Sequence, residues 1–196
     1  MCKKYKYIFG LFFICSILFL KDTKSQSTGS GFAISSEGYI ATNFHVIEGS
    51  EQILVKIPKG NMYETLEAEI IKVDRSNDLA IIKVDKNFES IPYGLKSTKQ
   101  NIASKVYAYG FPLPEIQGQE LKITEGIINS NSGQKDDPRW YQHTSEIQAG
   151  NSGGPLLNKY GNVVGINVAK LNSLALNLAY GTDATNVNYA IKVRYL

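Results

Sequence analysis

Apolar and polar residues alternate with a period of two along most of this chain, in short runs broken by Gly, Asn, Asp, Ser and Pro. That period sends successive side chains to opposite faces of a strand. The runs predict strands at Gly29–Ser35, Tyr39–Asn43, Gln52–Ile57, Leu66–Asp74 and Leu79–Val84. A second group follows at Lys105–Gly110, Leu121–Ser130, Trp140–Thr144, Pro155–Leu157, Asn162–Val168 and Asn186–Val193. Ser36-Glu37-Gly38 reads as the turn of the first hairpin, and Pro58 with Gly60 ends the third strand. No run of helical period is long enough for a substantial helix. Short strands with turn residues between them indicate an all-β barrel or sandwich. The polar segment Lys86–Ser104 carries Pro92 and Gly94 and lacks alternation. It sets 26–88 as one lobe, 89–104 as a connector and 105–196 as a second lobe.

The amino terminus breaks the pattern. Lys3, Lys4 and Lys6 precede an unbroken apolar run, Tyr7–Leu20. A run of 14 residues suits the core of a signal peptide and falls short of the roughly 20 that span a bilayer. Residues 1–25 are therefore expected to be a signal peptide, cut between Ser25 and Thr28, where Ser25 and Ser27 are small. The alternative is an uncleaved anchor held at the membrane surface by Lys21 and Lys24. Removal would take five of the 21 basic residues and one of the 18 acidic ones, turning a net charge of +3 into −1. The remaining domain then has no charge excess to draw nucleic acid or anionic lipid. Both cysteines, Cys2 and Cys15, go with the leader, so no disulfide is expected. With only His45 and His143 left as soft ligands, no metal site is expected either.

Three short motifs carry chemistry. In Gly150-Asn151-Ser152-Gly153-Gly154-Pro155 a serine lies among glycines, which allow sharp backbone turns and leave N–H groups facing a cleft. A serine hydroxyl needs a base to take its proton and donors to hold the oxyanion that forms. Gly150 N–H and Ser152 N–H are the expected donors. Thr42-Asn43-Phe44-His45-Val46 places a histidine at a strand exit, where it can serve as that base. Asn77-Asp78-Leu79-Ala80 puts an aspartate before an apolar strand, where it can orient an imidazole. Each motif alone has an ordinary reading as a loop, an exposed ring or a turn residue. Their co-occurrence in the order His, Asp, Ser is far less ordinary.

Together with Gly29-Ser30-Gly31-Phe32, Tyr39–Ile47, Gly161–Asn167 and Asn188-Tyr189-Ala190-Ile191, these motifs make the chain resemble trypsin-like serine proteases of the HtrA (Deg) type, without the PDZ module usual there. The resemblance implies two six-stranded β-barrels with the active site in the cleft between them. It implies an endopeptidase acting on protein or peptide substrates through an acyl-enzyme, with no cofactor, which the expected leader would make secreted or periplasmic. His45, Asp78 and Ser152 would be the triad, and Gly150 and Ser152 the oxyanion hole. Asn188, Tyr189 and Ala190 would lie beside bound substrate. Glu146, six residues before the serine, falls near the base of the primary specificity pocket, where a buried carboxylate would favour Lys or Arg. Small apolar side chains are the default. Asn151 stands where zymogen-type relatives carry an aspartate, so no cut amino terminus is expected to activate the chain. His143 is expected to be structural. One alternative is a non-catalytic protease fold that binds peptides, although no triad residue is lost. An esterase elbow also satisfies Gly-x-Ser-x-Gly, but would sit between strand and helix with its histidine last.

Overall fold

Period-two patterning becomes two barrels of the same design. The computed structural model describes residues 14–19, 28–60, 62–169 and 187–196. Among these, β1 (Ile14–Phe19), β2 (Thr28–Ala33), β3 (Tyr39–Thr42), β4 (Ile53–Lys59), β5 (Met62–Asp74) and β6 (Leu79–Val84) form a closed antiparallel barrel, ordered β1-β2-β3-β6-β5-β4. β7 (Lys105–Gly110), β8 (Lys122–Ser130), β9 (Trp140–His143), β10 (Pro155–Asn158), β11 (Val163–Val168) and β12 (Asn188–Lys192) form a second. Its order, β10-β11-β12-β9-β8-β7, repeats that of the first barrel. The all-β, two-barrel expectation holds. The described helices α1 (Phe44–Ile47) and α2 (Pro114–Gln117) are single turns.

Alternation fills three cores. Ile40, Val55, Ile82 and Val84 point into the first barrel, and Val106, Ile128, Tyr141 and Leu156 into the second. The opposite faces of β2, β3 and β11 meet between them. Phe32 and Ala41 of the first barrel pack there with Phe111, Val163 and Ile166 of the second. This apolar seam sets the two lobes against each other and fixes the cleft that opens along it. The connector is stitched to both sides. Tyr93 Oη donates to Ala33 O at 2.8 Å, and Gly94 O and Lys96 N bond Val163 on β11.

Two departures from the sequence reading have physical causes. β5 begins at Met62, earlier than expected, because it pairs with β4 from Lys59↔Met62 to Ile53↔Ala68. None of its first four residues, Met62–Thr65, is buried, so burial leaves no alternation there to read. The second departure concerns the leader. Ile14–Phe19 pairs with both β2 and β4 and closes the first barrel. An apolar segment satisfies strand burial and signal-peptide composition equally well. The basic start and the proposed cleavage residues Ser25 and Ser27 lie outside the described residues, as does Asn186.

Candidate active site

His45 is positioned by the end of β3. The chain leaves Thr42, turns at the buried Asn43 and makes the single turn α1, which carries the imidazole. Asp78 sits one residue before β6 with φ +54, a left-handed conformation that Asp adopts more readily than most residues. That backbone turn lets one residue hold three neighbours. Asp78 O accepts from Phe44 N at 3.1 Å and from Asn43 Nδ2 at 3.0 Å. Its Oδ1 accepts from His45 N at 2.8 Å, and its Oδ2 meets His45 Nδ1 at 2.6 Å. The pair is only 16% and 20% exposed, so water competes weakly for the bond. With Nδ1 engaged by a carboxylate, the ring proton belongs on Nδ1 and the Nε2 lone pair is free.

The turn bearing Asp78 is braced from both lobes. Asp74 accepts from Asn77 N at 3.0 Å and from Asn77 Nδ2 at 2.6 Å, and these bonds hold its carboxyl below the usual range. From the second barrel, Arg139 Nη1 donates to Ser76 O at 2.7 Å and to Asn77 Oδ1 at 3.2 Å. Asp137 grips the same guanidinium through Nε and Nη2, and its carboxyl is lowered in turn by Arg139. Sequence reasoning missed Arg139, because nothing local ties it to a turn more than sixty positions away.

Ser152 lies in a loop whose geometry glycine makes possible. Asn151 N donates to Gln148 O at 2.9 Å, closing a four-residue turn. Gly150 is its third residue, with φ +99, the sign that glycine tolerates there. Ala149 O accepts from Leu113 N at 2.9 Å, and Asn151 O from Gly154 N at 3.0 Å. In a trans peptide N–H and C=O point opposite ways. Gly150 N–H and Ser152 N–H are therefore turned away from those partners, and among the described residues neither donates elsewhere. The loop is docked on the first barrel. Ser152 O accepts from Ser30 N at 2.8 Å, and a Cβ on Gly153 would come within 3.1 Å of Asn43 N, two residues before His45. Ser152 Oγ accepts from Ala169 N at 3.0 Å. That bond uses a lone pair and leaves the hydroxyl proton free to be donated.

Alongside, Phe44, His45, Asp78, Trp140, Val168 and Tyr189 line a cleft of about 460 Å³. Trp140 and Tyr189 meet edge-on at 6.0 Å, giving one wall a rigid aromatic surface. Of the residues expected beside substrate, the structure brings Tyr189 to this cleft. Ala190 is fully buried in the core of the second barrel, and Asn188 pairs with His143 on β9. Glu146 is exposed on the loop after β9, so no low-dielectric pocket strengthens its charge there. Its backbone oxygen is the atom in use, accepting from Thr124 Oγ1 at 2.6 Å.

His143 is fully buried, and among the described residues neither ring nitrogen makes a well-formed hydrogen bond, only weaker polar contacts with the Tyr189 and Ser145 backbones. Burial lowers its pKa to about 4, while the Tyr189 and Ser145 backbones oppose the shift. The unfolded chain takes up this proton near pH 6.5 and the folded one near 4. The associated stability is complete above pH 6.5 and is lost as pH falls toward 4, approaching about 3 kcal/mol. Urea unfolding across that range should show a fall that is much smaller in His143→Leu. Equal slopes would overturn this account.

Comparison with known proteins agrees with the geometry. Residues 29–166, most of the chain, match the family described as a trypsin-like peptidase domain. The chain belongs to that family. It is 37% identical over 147 residues to a protein of Hahella chejuensis named as a DegP-like periplasmic serine endoprotease, covering 74% of this chain and 30% of that protein. It is 36% identical over 168 residues to protein y4bJ of Sinorhizobium fredii, covering 86% of this chain and 26% of that one. Thus the chain spans about a third or less of the length of these curated relatives. Among solved structures, the HtrA-type protease AlgW with a tripeptide superposes with a TM-score of 0.75 at 26% identity, covering 94% of this chain and 57% of that one. A serine endoprotease from Yersinia pestis gives 0.74 at 27%, covering 94% and 60%. Membership in the family, and its HtrA-type branch, accords with the motifs around His45, Asp78 and Ser152.

Proposed function

We propose that this chain is a serine endopeptidase that cleaves protein or peptide substrates through an acyl-enzyme on Ser152. The observation that carries the reading is the two-point hold of Asp78 on His45, at the strand end beside which the Ser152 loop is docked. His45 Nε2 takes the Ser152 proton as Oγ attacks the scissile carbonyl. The oxyanion that forms is held by Gly150 N–H and Ser152 N–H. His45 then gives its proton to the leaving amine, and the C–N bond breaks. Water, deprotonated by the same ring, adds to the ester and releases the acid, and the proton returns to Ser152. Asp78 keeps the ring in one tautomer and stabilises its charged form throughout.

Substrate lies between the barrels, its side chains before the scissile bond reaching the Trp140–Tyr189 wall. Apolar side chains suit that wall, and the exposure of Glu146 favours this default over a basic preference. Asn151 is neutral and packs its side chain against Gly110, so activation needs no ion pair with a newly cut amino terminus. The periplasmic names of DegP-like relatives support a site of action outside the cytoplasm.

A serine-directed fluorophosphonate tests the core of this reading. The native protein should label and Ser152→Ala should not. Labelling of both, or of neither, would return the chain to a peptide-binding protease fold without catalysis.

A further inference from the structure

Ser30 spends every polar group it has on the serine loop and its surroundings. It is fully buried on β2, in the opposite lobe from Ser152. Its N–H donates to Ser152 O at 2.8 Å. Its carbonyl accepts from Thr42 Oγ1 at 2.8 Å. Its Oγ accepts from Phe111 N at 3.0 Å and donates to Gly150 O at 2.7 Å. The direction of this last bond follows from chemistry: a carbonyl oxygen can only accept, and Phe111 N–H can only donate. One hydroxyl therefore bridges the residue after β7 to the glycine whose N–H faces the cleft.

We propose that Ser30 is a positioning residue of the oxyanion hole, holding Gly150 from the neighbouring barrel so that its N–H stays aimed at the reacting carbonyl. This rests on the peptidase reading above. Both carbonyls that flank the Gly150 N–H direction are pinned, Ala149 O by Leu113 N and Gly150 O by Ser30 Oγ. Without the hydroxyl, Gly150 O is left unpaired in a dry site, and glycine offers little resistance to rotating until it finds a partner. Rotating that carbonyl swings Asn151 N–H, which shares its peptide plane, off Gln148 O, opening the turn that holds Gly150 and taking the Gly150 N–H out of the hole. Loss of a hole donor costs about 10²–10³ in turnover, and a partly populated rotation costs less.

The test compares native protein, Ser30→Ala and Ser30→Cys on one peptide substrate. A peptide boronic acid serves as the probe of the tetrahedral state, and melting temperature reports folding. Ser30→Ala should lower kcat about 10–100-fold with KM nearly unchanged, and weaken the boronate by a similar factor. Ser30→Cys, close in size and a weaker donor, should fall between. If Ser30→Ala does not fold, Ser30→Cys carries the comparison. Native kcat in the folded variant, or losses that merely track the folded fraction, would overturn the proposal. Failure of the native protein to label with fluorophosphonate would instead remove the peptidase reading itself.

Discussion

Asp78→Asn is expected to lower turnover of a peptide substrate about 10⁴-fold at neutral pH while leaving the protein folded. Asn tolerates the left-handed backbone that residue 78 adopts, and its carbonyl oxygen can still accept from His45 N. The backbone bonds from Asn43 and Phe44 to Asp78 O do not involve the side chain at all. What changes is the bond to His45 Nδ1. An amide nitrogen placed there donates, so Nδ1 must accept and the ring proton moves to Nε2. A ring protonated at Nε2 cannot receive the Ser152 proton, and the positive ring formed later has lost its counter-charge. Steady-state kinetics on a fluorogenic peptide, with circular dichroism to confirm folding, checks this. Turnover within tenfold of native would mean that Asp78 does not set the tautomer.

Gly153→Ala should abolish measurable turnover and lower stability by about 2–5 kcal/mol, combining left-handed strain with overpacking. Gly153 has φ +85. A Cβ there would lie 2.2 Å from Ser30 O and 2.3 Å from Thr42 Oγ1. Both are buried on β2 and β3, and one is backbone, so neither side can give way cheaply. The loop must lift off the first barrel, carrying Ser152 from the strand end that bears His45. Denaturant unfolding and peptide turnover measure the two effects. An alanine variant as active and as stable as the native protein would show that the loop does not need this close docking. Gly161, also at positive φ but with open space around its Cβ position, marks the contrast: there the backbone angle alone resists substitution.

Much of the fold was legible because period-two alternation reports burial directly. Ile40 and Ala41 face opposite cores, as neighbours on a strand must. The start of β5 was illegible because it is exposed along most of its length and has no buried face to mark. β1 falls inside the expected leader, because an apolar run suits a barrel strand and a signal-peptide core alike. The repeated strand order of the barrels left no trace in a sequence without internal repeats, since the same path can be packed by different side chains.

The candidate site divides in the same way. His45, Asp78, Ser152 and Gly150 could be singled out as candidates because the proposed chemistry demands particular residue types beside particular turns. The exposure of Glu146 and the burial of Ala190 were not legible, because sequence gives a position along the strand and loop, not the direction in which each side chain faces.

By itself, the sequence determined which groups are present to react and where the chain turns, since both follow from residue type and near neighbours. Tertiary structure alone decided what braces those groups. The Ser30–Gly150 bond joins residues 120 apart, and the Arg139–Ser76 bond residues 63 apart. Each depends on how two barrels pack across an apolar seam, and no local pattern of polar and apolar positions encodes that relation.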